Sequence, residues 1–370
     1  LQLSAESLTS HCFLCGSTGS GKSNTVYLML EELGRCGVKF LVVEPAKGEY
    51  RREFGGMKGV NIYTTNPGCF AMLQLNPFQF PQGTHVLEHL DRLIEIFGAC
   101  WPMFGAMPAI LKQGLERIYQ NHGWDLVNSV RVNAAGSPFP TFADLLKTLP
   151  AVIKDAGYSG DTTSEYTGAL VTRIRSLTNG IPGQIFCSGL SVPNRMLFDE
   201  NTIIDLSRIG SSETKSLIMG ILILRLNEYR AATAKGSNKA LCHVTVLEEA
   251  HNILKRVSTA QSQDTANVAG KAVEMLAASI AEMRTYGEGF LIVDQSPGAV
   301  DEAAIKNTNT KIIMRLPDKA DCETVGRAAS MSDAQIRELS RLPMGCAVVY
   351  QGNWLESGMG RVSKRSGAYG

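Results

Sequence analysis

Residues 12–33, CFLCGSTGSGKSNTVYLMLEEL, constrain this chain more than any other stretch: an apolar run, a glycine-rich turn and a helical pattern follow one another without a gap. Gly16, Gly21, Lys22 and Ser23 satisfy G-x-x-x-x-G-K-[ST] in the strand-loop-helix setting that the motif requires. Glycine lets successive backbone N–H groups turn inward around a phosphate with no Cβ in the way. The helix opening at Lys22 adds the positive end of its dipole. Gly16, Ser17, Thr18, Gly19, Ser20, Gly21, Lys22, Ser23 and Asn24 are therefore the predicted nucleotide cradle. Lys22 can reach between the β- and γ-phosphates, and the Ser23 hydroxyl is a hard oxygen suited to Mg²⁺. Val26, Met29, Leu30 and Leu33 share one face of the helix and seat it on a sheet.

With 370 residues, 44% of them hydrophobic, the chain has ample material for one large domain or two or three small ones. A net charge of +1 advertises no nucleic-acid partner, so any DNA contact must come from local patches or from a ring of subunits. The longest apolar runs are strand-sized and far short of a bilayer span, and no signal peptide is visible; a cytoplasmic protein with no membrane partner is expected. Leu1 lies close to the first core strand, which implies residues upstream of it. The nine cysteines are scattered singly, several inside apolar runs, as reduced core cysteines are. Cys12 and Cys15 have the spacing of a metal or redox pair, but there is no second pair and their strand leads directly into the glycine loop.

Beyond the first helix, residues 38–45 read as a continuously apolar buried strand ending in EPAKGEY. Acids at the carboxyl end of a parallel strand face the ligand crevice, which makes Glu44, and after it Glu49, candidates near the nucleotide; a solvated turn of mixed charge is the alternative. Between roughly 70 and 193 helical patterns dominate, bounded by Pro/Gly-rich joints, with the aromatic residues around Trp101 and Phe104 read as core. Strand character returns at NTIIDLS, ending in Asp205, and a long helix follows from about 212. In CHVTVLEEAH, Val244, Val246 and Leu247 lead into Glu248 and Glu249, the pattern of a Walker B strand. The first acid would hold a Mg²⁺-bound water, and the second would orient the water attacking the γ-phosphate. Residues 255–271 are polar and predict a mobile loop; a helix from about 272 to 286 carries Arg284; GFLIVDQSP is a buried strand with Gln295 at its end. Strands at 310–316 and from Cys346 follow, then a Gly/Ser/Arg-rich end expected to fray from about 356. There is no internal repeat.

Taken together, GSTGSGKS, EPAKGEY, IIDLS, VLEEAH, RTYGEGFLIVDQSP and RLPMGCAVVY resemble the HerA/FtsK superfamily of hexameric P-loop motors, and HerA-type ATPases most closely. The resemblance implies an α/β fold: an ASCE, RecA-like core with a mostly parallel sheet flanked by helices, an extra strand between the phosphate-loop and Walker B strands, and a helical insertion. It divides the chain into 1–75 and 201–355 for the ATPase core, 76–200 for the insertion and 356–370 for a flexible tail, with a β-barrel upstream. It also implies ATP and Mg²⁺ at the interfaces of a homo-hexamer that passes double-stranded DNA through its pore. Residue by residue, it places Lys22 and Ser23 in Walker A, Glu249 as catalytic carboxylate, Gln295 as γ-phosphate sensor, and Arg284 as an arginine reaching a neighbour's nucleotide, with a helix-end salt bridge as its alternative. Glu248 stands where the family usually has Asp; with Ser23 it is a candidate Mg²⁺ ligand. The expected role is a DNA translocase working with an effector such as a nuclease, in end processing or antiphage defence, with Lys255, Arg256 and Lys271 as candidate DNA contacts. A conjugation or secretion ATPase and a non-translocating assembly platform are the alternatives.

Overall fold

The computed structural model of the chain describes residues 3–365, except 66, 67, 69, 134, 135, 235, 237 and 258–262. The first half runs β1 (Cys12–Cys15), α1 (Lys22–Arg35), β2 (Lys39–Glu44), α2 (Glu49–Phe54), β3 (Val60–Thr64) and β4 (Ala71–Met72). Helices α3 (Val86–Cys100) and α4 (Met107–Asn121), the short ribbon β5 (Trp124–Asp125) and β6 (Val130–Arg131), and α5 (Phe142–Asp155) begin the insertion. It continues through α6 (Gly160–Tyr166), a π-helical turn, α7 (Thr172–Thr178), α8 (Gly180–Phe186) and α9 (Asn194–Phe198). The chain then returns as β7 (Asn201–Asp205), α10 (Ser212–Thr233), β8 (His243–Glu248), α11 (Gln263–Glu282), β9 (Glu288–Asp294) and α12 (Glu302–Lys306). It closes with β10 (Thr310–Ile313), α13 (Lys319–Ala328), α14 (Asp333–Glu338), β11 (Cys346–Gln351) and β12 (Gly358–Arg361).

Ten strands form one sheet in the order β12-β11-β10-β1-β9-β8-β2-β7-β3-β4, parallel from β10 to β4 and antiparallel at the β11 and β12 edge. The central strands are apolar on both faces because both are covered. Phe13, Cys15, Leu41 and Val43 join the cluster formed with the insertion and α10, whereas Cys12, Leu14, Phe40 and Val42 pack against α1 and α2. Cys12 and Cys15 are therefore free core residues pointing to opposite faces. Helix α10 runs between sheet and insertion and is buried nearly all round, so its polar residues need partners. Glu228 meets His89 Nδ1 at 2.8 Å, and Arg230 meets Asp199 at 2.8 Å and Glu288 at 3.1 Å.

Strand β9 lies between β1 and β8, with Cys15 opposite Asp294 and Leu247 opposite Ile292. This is the extra strand that the sequence resemblance implies. Because the strands are parallel, Cys15, Glu44, Asp205, Glu248 and Asp294 all end at one edge, the crevice where open α/β sheets bind ligands.

The insertion shares one hydrophobic cluster with the sheet. Three details depart from the sequence expectation. Strand β3 was not anticipated. Helix α11 begins at Gln263, not near 272, so Lys271 is on a helix; the rest of the expected mobile loop lies partly outside the described residues. The expected frayed end is a paired edge strand, with Cys346 opposite Arg361, because an edge strand is held by backbone hydrogen bonds that need no apolar alternation.

Candidate active site

The phosphate loop leaves β1 at Cys15 and enters α1 at Gly21, with Gly16, Gly19 and Gly21 at φ 159°, 75° and 112°. Gly19 and Gly21 occupy the left-handed region that side chains rarely adopt, and a Cβ on Gly16 would come within 2.7 Å of Met314 Cβ. The N-cap of α1 is Gly21, which has no side chain to cap the helix, so its first N–H groups face the loop and suit an anion. Lys22 Nζ is held by the carbonyl oxygens of Gly16 and Ser17, the latter at 3.2 Å. Burial holds its pKa below the ordinary lysine value, opposed by the nearby Glu248 and Glu249 carboxylates.

Across the loop, Gln295 joins two elements. Thr18 Oγ1 donates to Gln295 Oε1 at 2.7 Å, and Gln295 Nε2 donates to Glu249 Oε1. Glu249 sits at φ 48° and ψ 53°, a left-handed conformation costing on the order of 1 kcal/mol for a residue with a Cβ. His251 steadies that turn: its N–H donates to Asp294 Oδ2 at 2.8 Å, and its Nδ1 lies 2.9 Å from the same oxygen and 3.6 Å from Glu249. The bond to Asp294 raises the His251 pKa.

The acids on the other flank divide their work. Glu44 accepts from the N–H groups of Glu49 at 2.7 Å and Tyr50 at 3.2 Å, and so caps α2. Burial pushes its pKa up to about 7. Glu49, the second of the two acids in the sequence expectation, is the one touching the phosphate loop: Ser23 Oγ donates to its Oε2 at 3.2 Å. Glu248 accepts from the Tyr50 hydroxyl, and burial raises its pKa to about 7, with the Tyr50 hydrogen bond opposing. A cavity of about 360 Å³ is lined by Thr18, Lys22, Ser23, Glu49, Glu248 and Gln295, among others. Its donors, a hydroxyl beside clustered carboxylates, fit a hard divalent cation, and the glycine cradle fits phosphate.

Asn24, expected in the cradle, lines the same cavity while its amide is held by the segment after β12: Nδ2 donates to Ser363 O at 2.9 Å, and Oδ1 accepts from Arg365 N at 2.9 Å. Arg284 precedes β9 and so stands at the opposite end of the sheet from its own phosphate loop, roughly 20 Å away by the rise of a seven-residue strand. It is exposed, and among the described residues its side chain makes no ion pair. Of the candidate DNA contacts, Arg256 is paired with Glu302 at 2.9 Å, while Lys255 and Lys271 are exposed. Tyr50, His251 and Asp294 escaped the sequence reading, although GEY, EEAH and VDQSP each contain one of them beside a predicted site residue.

A phosphate loop, an inserted strand and a catalytic-type acid at one sheet edge define a P-loop NTPase core of the ASCE kind. The family described as helicase HerA, central domain, matches residues 1–92. DNA double-strand break repair helicase HerA of Sulfurisphaera tokodaii is 21% identical over 94% of the chain, and that of Sulfolobus acidocaldarius 22% over 92%. The chain is thus similar to HerA-type ATPases and has the fold of a P-loop NTPase core. It spans 64% and 62% of those two relatives, under two thirds of their length. Among solved structures, VirB4 of Thermoanaerobacter pseudethanolicus aligns with a TM-score of 0.70 at 14% identity, covering 97% of this chain and 90% of its own. The plasmid coupling protein TrwB, in complex with ADP and Mg²⁺, aligns at 0.66 and 12% identity, covering 98% and 88%. Among the described residues, no helix is long and apolar enough to cross a membrane.

Proposed function

We propose that this chain is the ATP-hydrolysing motor of a DNA translocase that works as a homo-hexamer around double-stranded DNA, in the cytoplasm, with a nuclease or similar effector in end processing or antiphage defence. The observation carrying the reading is the Thr18–Gln295–Glu249 chain, which ties the phosphate loop to the acid that accepts the water's proton. Lys22 and the α1 amides bind the β- and γ-phosphates, and Gln295 reports on the γ-phosphate to Glu249. Ser23 and Glu248, with Glu49 beside them, hold Mg²⁺ and its water. Bound there, Mg²⁺ neutralises charge on the phosphate oxygens. Arg284 is assigned to a neighbouring subunit's nucleotide, since its own lies at the far end of the sheet.

Relatives named as break-repair helicases favour DNA as the track. A conjugation or secretion motor is the second reading, favoured by alignment with VirB4 and TrwB over nearly the whole chain. ATP turnover measured with and without duplex DNA, alongside oligomer mass, tests the first. A hexamer stimulated by duplex is expected; a hexamer indifferent to DNA points to an assembly platform, and no turnover at all ends the motor reading.

A further inference from the structure

The phosphate loop has two unlike sides. Toward β9 and β8 stand Gln295, Glu249 and Glu248, where the γ-phosphate chemistry belongs. Toward β10 and β11 the loop is stitched to backbone: Ser17 N–H donates to Arg315 O at 2.8 Å, and Gly345 N–H donates to Ser20 O at 2.9 Å. Gly345 Cα is 3.5 Å from where a Cβ on Gly21 would stand, so the turn before β11 lies directly on the start of α1. A triphosphate with its γ-end at Glu249 must extend its nucleoside toward this second side.

Two features meet there, an exposed apolar side chain and a fastened segment. Met344 is 69% exposed although apolar, and it lines the same cavity as Lys22 and Asn24. The segment after β12 closes behind it, with Val362 N–H donating to Gly345 O at 2.8 Å and Ser363 and Arg365 gripping both ends of the Asn24 amide. Arg365 locks that segment: its side chain is 7% exposed, pairs with Glu31 at 2.5 Å and Glu53 at 2.6 Å, and lies over the Phe54 ring at 5.0 Å.

We propose that the turn carrying Met344 and the segment 362–365 form the nucleoside half of the site, with the Met344 side chain packing on the face of a purine base. The proposal rests on the nucleotide reading above. A thioether offers contact area and polarisability but no pattern of donors and acceptors, so adenine and guanine are taken alike. The Ser363 carbonyl already accepts one hydrogen bond, from the Asn24 amide.

Titration calorimetry of the full chain with Mg²⁺ and ATP, GTP or inorganic tripolyphosphate tests this. Wild type should bind ATP and GTP within a few-fold of each other. Met344→Ala should weaken both about tenfold, the loss of one buried side-chain contact, and leave tripolyphosphate unchanged. Arg365→Ala, which frees the segment, should weaken the nucleotides by a smaller factor and again spare tripolyphosphate. Unchanged ATP affinity in Met344→Ala overturns the proposal, as does equal weakening of tripolyphosphate, which would make Met344 a support of the phosphate loop. A preference above tenfold for one purine also overturns it, because that requires hydrogen-bonded base recognition. Wild type that binds neither nucleotide nor tripolyphosphate sinks the nucleotide reading itself.

Discussion

Glu249 and Tyr50 show how single side chains divide the labour at the sheet edge. Glu249→Gln keeps an oxygen for the Gln295 amide to donate to but loses the carboxylate proposed to take a proton. ATP should stay bound while turnover falls by about 10²- to 10⁴-fold, checked by calorimetric ATP binding beside single-turnover hydrolysis. Rapid hydrolysis would move the role to another acid. Tyr50 is only 2% exposed and gives Glu248 its hydrogen bond. The Glu248 side chain is thereby held in one place. Tyr50→Phe removes the donor and leaves a buried carboxylate oxygen without it, so kcat should drop several-fold and the Mg²⁺ concentration for half-maximal rate should rise, with ATP affinity kept. An unaltered Mg²⁺ requirement would reduce Tyr50 to packing.

At the scale of elements, the entry to β1 carries a pH dependence. His11 is buried edge-on to Phe290, with ring centroids 5.6 Å apart, and its Nδ1 accepts from the Phe290 N–H at 3.1 Å. Burial lowers its pKa from 6.5 to about 4. The unfolded chain therefore takes up a proton below about pH 6.5 that the folded chain refuses until about pH 4. The stability in question is complete above pH 6.5 and lost as pH falls toward 4, by up to about 3 kcal/mol for this 2.5-unit interval. His11→Asn does not titrate there and keeps a polar side chain at this strained backbone position, φ 62° and ψ 157°. Denaturant unfolding from pH 7 to 5 should show a shallower loss in that variant than in wild type; identical slopes would assign the acid sensitivity elsewhere.

For the whole molecule, Arg284 decides whether one chain is enough. Standing at the far end of β9 from its own phosphate loop, it cannot reach its own nucleotide. Under the proposed trans role it would meet a neighbour's nucleotide in a ring, where its planar fork suits the spread charge of a transferring phosphoryl group. Arg284→Ala should leave ATP binding nearly intact and cut turnover about 10³-fold or more. Arg284→Ala and Glu249→Gln subunits, each inactive alone, should recover partial activity when mixed, because some interfaces then pair an intact Glu249 with an intact Arg284. Full turnover of Arg284→Ala by itself would sink the trans role, and mixed rings that form without regaining activity would count against complementation between neighbours.

What the amino-acid order determined by itself is what lies close along the chain. The strand, loop and helix of residues 12–35, the buried strand before Glu44 and the acids after Leu247 are local patterns, and a local pattern is legible because 3.6-residue and 2-residue periodicity need no knowledge of partners. Glu249, Gln295 and Lys22 could be singled out as candidates for the same reason, through motifs that sit at strand ends. Tertiary structure alone decided who meets whom. Thr18 and Gln295 are 277 residues apart, and Arg365 and Glu31 334. The choice of Glu49 over Glu44 beside Ser23 depends on α2 turning back over the crevice once Glu44 caps it. The end of the sheet at which Arg284 stands depends on strand direction. The edge strand β12 is recruited by backbone hydrogen bonds rather than by side chains, so its composition carries no trace of it. Side-chain chemistry marks the chain position by position, but contact between distant positions is set by strand order and by packing on the two covered faces of the sheet.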